Sequence, residues 1–129
     1  MTSAIDSYLE AIETGTSPAP EVFSGDVLFD ATVPNWRFRL LGEQRVRRQF
    51  AAWFKEAGQF DVVERTPLPD GELVRFELSW MENGQPWACH QTHRLAVDNG
   101  RIVGVTLFCG GRWPAMLLAE MEEALRVGA

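Results

Sequence analysis

Several side chains in this sequence that could carry chemistry fall on one alternating stretch around His93. Cys89, Gln91 and His93 are spaced two residues apart, so they share one face of the predicted strand. Imidazole exchanges a proton near neutral pH, and an apolar wall around it would lower its pKa. His93 is therefore a candidate catalytic acid or base. The alternative is a structural role, in which His93 is a core residue bonded to a backbone carbonyl or to Tyr8. This role is the more common one for a histidine without an obvious partner.

Tyr8 is the second catalytic candidate, because its hydroxyl could donate to a ligand oxygen. Packing in an apolar helical stripe explains the same residue equally well. Cys89 and Gln91 are more typical of small polar lining than of catalysis. A nucleophilic thiol needs a base beside it, and His93 would lie roughly 7 Å from Cys89 along the strand.

Two turns fix the strand registers around these residues. Asn83-Gly84 between alternating stretches predicts a two-residue hairpin turn. The resulting cross-strand pairs are Trp80–Trp87, Leu78–Cys89, Phe76–Gln91 and Val74–His93. This register leaves one face apolar and the other charged, whereas a slip by one residue would mix them.

The second turn, Asp98-Asn99-Gly100, is predicted to be a three-residue loop. This choice places Val103, Val105 and Leu107 on the apolar face and makes Cys89 and Cys109 cross-strand neighbours, expected to stay as thiols. A two-residue Asn-Gly loop is the alternative, and it would put Cys89 opposite Gly110.

Aromatic side chains supply most of the other ligand-binding candidates. Five tryptophans and eight phenylalanines are many for 129 residues, and the surplus suits a pocket for a flat or apolar ligand. Trp36, which follows Pro34 in an irregular stretch, is the tryptophan most expected to touch a ligand. Besides Cys89 and Gln91, the predicted lining residues are Trp53, Phe54, Trp80, Trp87 and Asp30. Asp30 would face the cavity only if its strand were bulged, and a solvated or helix-capping role is favoured for it.

Three helices and six strands must position these side chains. Helical spacing predicts a first helix capped by Thr2 or Ser3 and ended by Gly15, a short helical turn around Glu21 to Ser24, a helix over Glu43–Ala57, and a last helix from Pro114. The last helix should bury a stripe formed by Leu117, Leu118, Met121 and Leu125. Strands are predicted over Val27–Val33, Arg37–Leu41, Phe60–Thr66, Glu72–Met81, Trp87–Val97 and Arg101–Cys109.

This order of elements, together with four stretches of sequence, resembles the nuclear transport factor 2-like superfamily. The stretches are Ser7-Tyr8-Leu9-Glu10-Ala11-Ile12, Asp26-Val27-Leu28-Phe29-Asp30, Gly42-Glu43 with Phe50 and Trp53, and Asn99-Gly100-Arg101-Ile102-Val103. The resemblance runs to about Trp113. It implies one α+β domain over residues 1–129. In that domain a cone-shaped, curved antiparallel sheet of the cystatin-like type wraps around the N-terminal helices, with an extra C-terminal helix.

The superfamily includes SnoaL-like polyketide cyclases and ketosteroid isomerases, and the isomerase residues match only in part. The resemblance puts Tyr8 at the oxyanion-donor position and His93 where isomerases have a protonated acid. Their general base is an aspartate just before a proline, but Val33 stands before Pro34 here, and Asp30 is the nearest carboxylate. Ketosteroid isomerase activity is therefore not expected.

Composition narrows the classes of partner. Twelve basic against eighteen acidic residues give a net charge of −6, which argues against nucleic acid. The arginines that could suggest otherwise fit a solvated face: Arg37, Arg39, Arg45, Arg47 and Arg48. No Cys/His spacing fits zinc and no glycine fingerprint is present, so neither a metal nor an organic cofactor is expected. With no leader or spanning segment predicted, we expect a cytoplasmic protein without a membrane partner.

These observations predict binding of a small, largely apolar or aromatic molecule in the cone. SnoaL-like isomerase or cyclase proton transfer by His93 and Tyr8 is the catalytic version of this prediction. A non-catalytic ligand-binding or dimerising accessory module is the alternative, favoured by the missing base. Relatives commonly dimerise through the convex sheet face, and a homodimer through that face is predicted. That face is expected to carry Arg75, Glu77, Ser79, His90, Thr92 and Arg94 beside Ile102 and Phe108.

Overall fold

The computed structural model describes residues 2–128, which form three α-helices and one six-stranded sheet. The helices are α1 (Ala4–Thr14), α2 (Glu43–Trp53) and α3 (Ala115–Arg126), and a short 3-10 turn covers Pro20–Val22. The strands are β1 (Phe23–Val33), β2 (Trp36–Leu41), β3 (Gly58–Leu68), β4 (Gly71–Glu82), β5 (Gln85–Asp98) and β6 (Arg101–Pro114). The predicted α+β architecture is confirmed.

The strands follow the order β2-β1-β6-β5-β4-β3 across the sheet. All neighbours are antiparallel except β1 and β6, which run parallel, so the sheet is mixed rather than wholly antiparallel. The chain's path explains this exception. After the β1–β2 hairpin, α2 carries the chain to the far edge of the sheet, and the β3–β6 meander returns to β1 from the other side.

Helix α1 begins and ends with strong local signals. Ser3 accepts from the Asp6 backbone N–H while the Asp6 carboxylate accepts from the Ser3 backbone N–H, which forms a capping box. Gly15 ends the helix in the left-handed region at φ 73°. A side chain there would also collide with the backbone of Glu56 and Ala57, at 2.7 Å from the nearest atoms. Gly15 thus allows the chain after α2 to pass directly against the end of α1.

In the same region α2 is shorter than predicted, because it ends at Trp53 rather than at Ala57. Phe54 closes the last helical hydrogen bond to the carbonyl of Phe50, but its own dihedral angles, φ −112° and ψ 50°, leave the helical region. Its side chain is buried, with 5% exposed. Burial of Phe54 and packing of the chain against Gly15 are therefore favoured over continuing the helix to Ala57.

The register between β4 and β5 is as predicted from Asn83-Gly84. Trp80 pairs with Trp87, Leu78 with Cys89, Phe76 with Gln91 and Val74 with His93. The predicted loop between β5 and β6 is wrong. Asp98 pairs with Arg101, so the turn has only two residues, Asn99 and Gly100, with φ values of 52° and 75°. Positive φ at both central positions is typical of a type I′ turn.

A bulge next to this turn restores the predicted faces further along β6. Val97 pairs with Ile102, but Ala96 pairs with Gly104, so one residue of β6 is left over. Val105 and Leu107 are buried as predicted, with 2% and 0% exposed. Ile102, predicted on the convex face, is instead fully buried. In this register Gln91 lies opposite Cys109, and a second shift places Cys89 opposite Arg112, so the predicted Cys89–Cys109 pairing is also wrong.

Strand β6 and helix α3 differ from prediction at the end of the chain. The strand continues through Gly110 and Gly111 to Pro114, well past the predicted end at Cys109. Helix α3 begins immediately after Pro114, but none of its described residues is buried. The predicted apolar stripe is therefore not part of the core. The core lies between α1, α2 and the concave face of the sheet, where Tyr8, Phe23, Phe29, Phe50 and Phe76 are its largest side chains.

Candidate functional site

A cavity of about 360 Å³ lies on the concave side of the sheet, at the end of α2. Its position follows from the fold, because α2 stops at Trp53 and leaves the inner faces of β4, β5 and β6 uncovered beyond that point. The lining residues are Val33, Pro34, Trp53, Phe54, Glu56, Leu78, Trp80, Glu82, Cys89, Gln91, Cys109, Gly111 and Arg112.

The wall of the cavity is mainly apolar and aromatic. Trp53 and Phe54 close it from the α2 side, and Leu78 and Trp80 form the β4 side. Trp53 packs edge-on against Phe38, with ring centroids 5.6 Å apart. Because this packing orients Trp53, the wall is preformed, as small-molecule sites usually are.

The rim of the cavity is built around the Arg112 guanidinium. Its central carbon lies 5.2 Å from the ring centroid of Trp80 and 5.1 Å from that of Trp87. Arg112 also donates to Glu82 Oε1 at 2.7 Å, and the Trp80 indole N–H donates to the same oxygen at 3.2 Å. The indole hydrogen bond first, and then Arg112, lower the pKa of Glu82. Cation–π and ionic contacts together organise this mouth.

The deep end of the cavity connects to a buried chain of hydrogen bonds. The Tyr8 hydroxyl lies 2.6 Å from His93 Nδ1, and His93 Nε2 lies 2.8 Å from Gln91 Oε1. Gln91 Nε2 then donates to Cys109 Sγ at 3.3 Å. Gln91 and Cys109 are lining residues, whereas Tyr8 and His93 are fully buried behind them.

The directions of these hydrogen bonds follow from satisfying every buried donor. Tyr8 has one hydrogen-bond partner among the described residues, so its O–H proton must go to His93 Nδ1. The His93 proton is then on Nε2 and is donated to Gln91 Oε1. The reverse order would leave the Tyr8 proton without an acceptor. The chain therefore runs from Tyr8 through His93 to Gln91.

Burial keeps Tyr8 and His93 uncharged. Loss of solvent lowers the pKa of His93 from 6.5 to about 3 and raises the pKa of Tyr8 well above its usual value. Both ring nitrogens of His93 are already bonded, and neither His93 nor Tyr8 reaches the cavity wall. As arranged, the pair orients Gln91 rather than contacting a bound molecule.

The structure brings together five of the eight predicted ligand-binding residues. Those that line the cavity are Trp53, Phe54, Trp80, Cys89 and Gln91. Trp87 does not line the cavity but is stacked on Trp80, with ring centroids 6.4 Å apart. Trp36 does not line the cavity, because it follows the β1–β2 turn at the sheet edge, where 68% of it is exposed. Asp30 lies on the opposite face and is paired with Arg37 and Arg39.

Both cysteines line the cavity as free thiols. Burial raises the pKa of Cys89 to about 12, so this thiol stays protonated at neutral pH. Cys109 accepts from the Gly111 backbone N–H as well as from Gln91, both at 3.3 Å. They serve as lining and as a weak acceptor; a lining role was predicted for Cys89 but not for Cys109.

Arg112 and Glu82 at the rim are charged site residues that sequence reasoning did not find, and Cys109 lines the cavity although only its neighbour Cys89 was predicted to do so. Arg112 lies beyond Cys109, where the predicted β6 ended, and Glu82 at the end of β4 is bonded to it. One indication is present in the sequence, because period-two alternation can be continued past Gly110 and Gly111 as far as Pro114. With β6 extended, Arg112 would fall on the same face as the Trp80–Trp87 pair.

Two further properties concern metals and membranes. Within residues 2–128, no group of three or more His, Cys, Asp or Glu side chains is arranged to hold a metal ion. No helix in the same range has the length and apolar character needed to cross a membrane.

Comparison with solved structures finds the same fold in several bacterial proteins. An NTF2-like protein from Anabaena variabilis superposes with a TM-score of 0.71 at 13% identity, over 84% of this chain and 84% of the other. A proposed polyketide cyclase from Pseudomonas putida gives 0.65 at 18% identity, over 83% and 90%.

A protein of unknown function with a cystatin-like fold from Xanthomonas campestris gives a TM-score of 0.65 at 20% identity, over 91% of this chain and 95% of the other. No protein-family model matches the sequence, and no curated protein matches it. At these identities the similarity concerns the fold. The element order, the curved sheet and these superpositions together show that the chain has the nuclear transport factor 2-like, or cystatin-like, fold.

Proposed function

We propose that this protein binds a small, largely apolar molecule in the cavity at the end of α2. The observation that supports this most directly is the cavity itself, about 360 Å³ and walled by Trp53, Phe54, Leu78 and Trp80. Small-molecule sites typically have volumes of about 300–1,000 Å³, apolar walls and a few placed polar groups. Here the polar groups are Gln91 at the deep end and the Arg112–Glu82 pair at the rim.

The proposed function is ligand binding alone, without proton transfer between the protein and the ligand. Val33, rather than a carboxylate, stands before Pro34, at the position where the isomerases have their base. His93 has both nitrogens bonded and lies behind the wall, so a bound molecule would not touch it. A ligand carrier or sensor therefore fits this site better than an isomerase.

The catalytic version is the second candidate, and the shared fold of the proposed polyketide cyclase from Pseudomonas putida supports it. In that version His93 would handle a proton and Tyr8 would polarise an oxygen. Gln91 separates both residues from the cavity, so the side chain of Gln91 would first have to move aside. Turnover of a polyketide-like substrate that is lost in His93→Gln would support this candidate.

Thermal-shift screening tests the binding proposal with a panel of steroids, polyketide-like aromatics and terpenoids. A ligand at a hundred times its dissociation constant adds about 2.7 kcal/mol to the free energy of unfolding. Leu78→Phe fills the cavity and should abolish the shift. Leu73→Phe, on the opposite face of the same strand and 39% exposed, is the matched control and should retain it. Equal shifts in both variants would place the ligand elsewhere.

Assembly as a homodimer through the convex sheet face is part of the proposal. Phe108 is 53% exposed on this face, beside Thr92 of the neighbouring strand. Light scattering at micromolar concentration should give a dimer for the wild type and a shift toward monomer for Phe108→Glu. A wild-type monomer would contradict this part without affecting the cavity.

A further inference from the structure

Gln91 carries one hydrogen-bond donor that the protein leaves unused. Its Oε1 accepts from His93, and one hydrogen of Nε2 goes to Cys109 Sγ. No group within residues 2–128 accepts the second hydrogen of Nε2. Gln91 is only 5% exposed and lines the cavity, so a bound molecule is the partner available to that hydrogen.

The orientation of this amide is enforced from behind. If the amide turned over, Nε2 would face the protonated Nε2 of His93, and two donors would meet at 2.8 Å. His93 cannot avoid this by moving its proton, because Nδ1 already accepts from Tyr8. Tyr8 and His93 are thus positioning residues that hold a donor toward the cavity.

We propose that Gln91 determines specificity by donating to an uncharged acceptor oxygen, so the ligand is an apolar or aromatic molecule carrying a ketone or similar carbonyl. This inference rests on the proposed binding function and deepens it. The first argument is complementarity, since the deep end offers a free donor while its own acceptors are occupied.

The second argument concerns charge at the deep end. Gln91 is neutral, and the surrounding wall includes Leu78, Phe54 and the protonated thiol of Cys89. Burying a carboxylate there without a cationic partner would be costly. Arg112 is the cation of the site, but it lies at the rim and is already paired with Glu82. An uncharged oxygen therefore suits the deep end better than an anion.

Two probes of nearly equal shape, 2-acetylnaphthalene and 2-ethylnaphthalene, test this directly by equilibrium dialysis. They differ by the carbonyl oxygen that Gln91 is proposed to contact. The measured quantity is the ratio of their dissociation constants, because comparing this ratio between variants removes the difference in hydrophobicity. A neutral hydrogen bond should change the ratio by about three- to tenfold between the wild type and Gln91→Met.

Gln85→Met, at the exposed start of β5, is the matched control and should keep the wild-type ratio. Tyr8→Phe should lower the preference for the ketone and leave the affinity for 2-ethylnaphthalene unchanged. A purely structural effect would weaken both probes alike. An unchanged ratio in Gln91→Met would overturn the inference but not the binding proposal. Failure of wild type to bind either probe would contradict both.

A second measurement needs no variant at Gln91. In the ¹⁵N-labelled wild type, 2-acetylnaphthalene should shift the side-chain amide signals of Gln91 more than 2-ethylnaphthalene does. Equal shifts with the two probes would overturn the proposed donor role even if Gln91→Met did not fold.

Discussion

Replacing His93 by glutamine tests whether this histidine is a buried, neutral part of the core. Burial lowers the pKa of His93 to about 3 in the folded protein, against 6.5 in the unfolded chain. Between these two pH values the unfolded state binds a proton that the folded state does not. The free energy of unfolding must therefore fall as the pH falls through this window.

The size of the effect follows from the two pKa values. Each unit of pH below the unfolded pKa costs about 1.4 kcal/mol, so the His93 contribution between about pH 7.5 and about pH 5 is about 2 kcal/mol. Carboxylates contribute their own pH dependence, but they are the same in the wild type and in His93→Gln. The difference between the two proteins isolates His93.

Urea denaturation of both proteins at the two pH values gives the required free energies. The wild type should lose about 2 kcal/mol more than His93→Gln on acidification. His90→Gln removes the other of the two histidines, on the convex face, and should retain the His93-dependent loss. Equal losses in the wild type and His93→Gln would show that His93 reaches solvent, and the buried chain from Tyr8 to Gln91 would then be wrong.

Three further predictions concern single residues. Gly71→Ala should destabilise the protein by about 1–3 kcal/mol in urea denaturation, because the new Cβ would lie 1.8 Å from the Leu95 carbonyl oxygen. Gly25→Ala is the control and should be neutral, because a Cβ there would meet nothing within 4 Å. Cys89 should resist alkylation in the native protein at about pH 8 and react only in denaturant, as followed by mass spectrometry; rapid native alkylation would contradict its burial. Asp30→Asn, on the face opposite the cavity, should leave ligand affinity in dialysis unchanged, and a loss of affinity would contradict its placement.

Much of the fold could be predicted because local chemistry and the global structure agree. Asn83-Gly84 can adopt positive φ at both turn positions, and alternation on both sides fixes a single register with one apolar face. Ser3 and Gly15 likewise mark the ends of α1 through local capping. Such signals need only neighbouring residues, so a sequence displays them directly.

The site was harder to predict because it depends on departures from regular structure. The bulge beside the Asn99-Gly100 turn allows both Ile102 and Val105 to be buried, although simple alternation would place them on opposite faces of β6. The extension of β6 past Gly110 and Gly111 brings Arg112 to the rim. The early end of α2 is set by tertiary contacts of Phe54. None of these events has a local pattern strong enough to compete with simple alternation or helical spacing.

His93 illustrates the limit for single residues. Its strand face was correctly predicted, and so was Tyr8 as one of its candidate partners. Periodicity does not say how deep along the face the cavity extends, since that depends on the volume filled by Phe50, Phe76 and their neighbours. The wall falls at Gln91, one alternate position short of His93.

Mapping a bound probe by the tryptophan indole signals tests the cavity most directly. In the ¹⁵N-labelled protein, 2-acetylnaphthalene should shift the indole N–H signals of Trp53 and Trp80, which line the cavity. The signal of Trp36, exposed at the sheet edge, should not move. Shifts centred on Trp36, or none at saturating probe, would contradict a binding site at the end of α2.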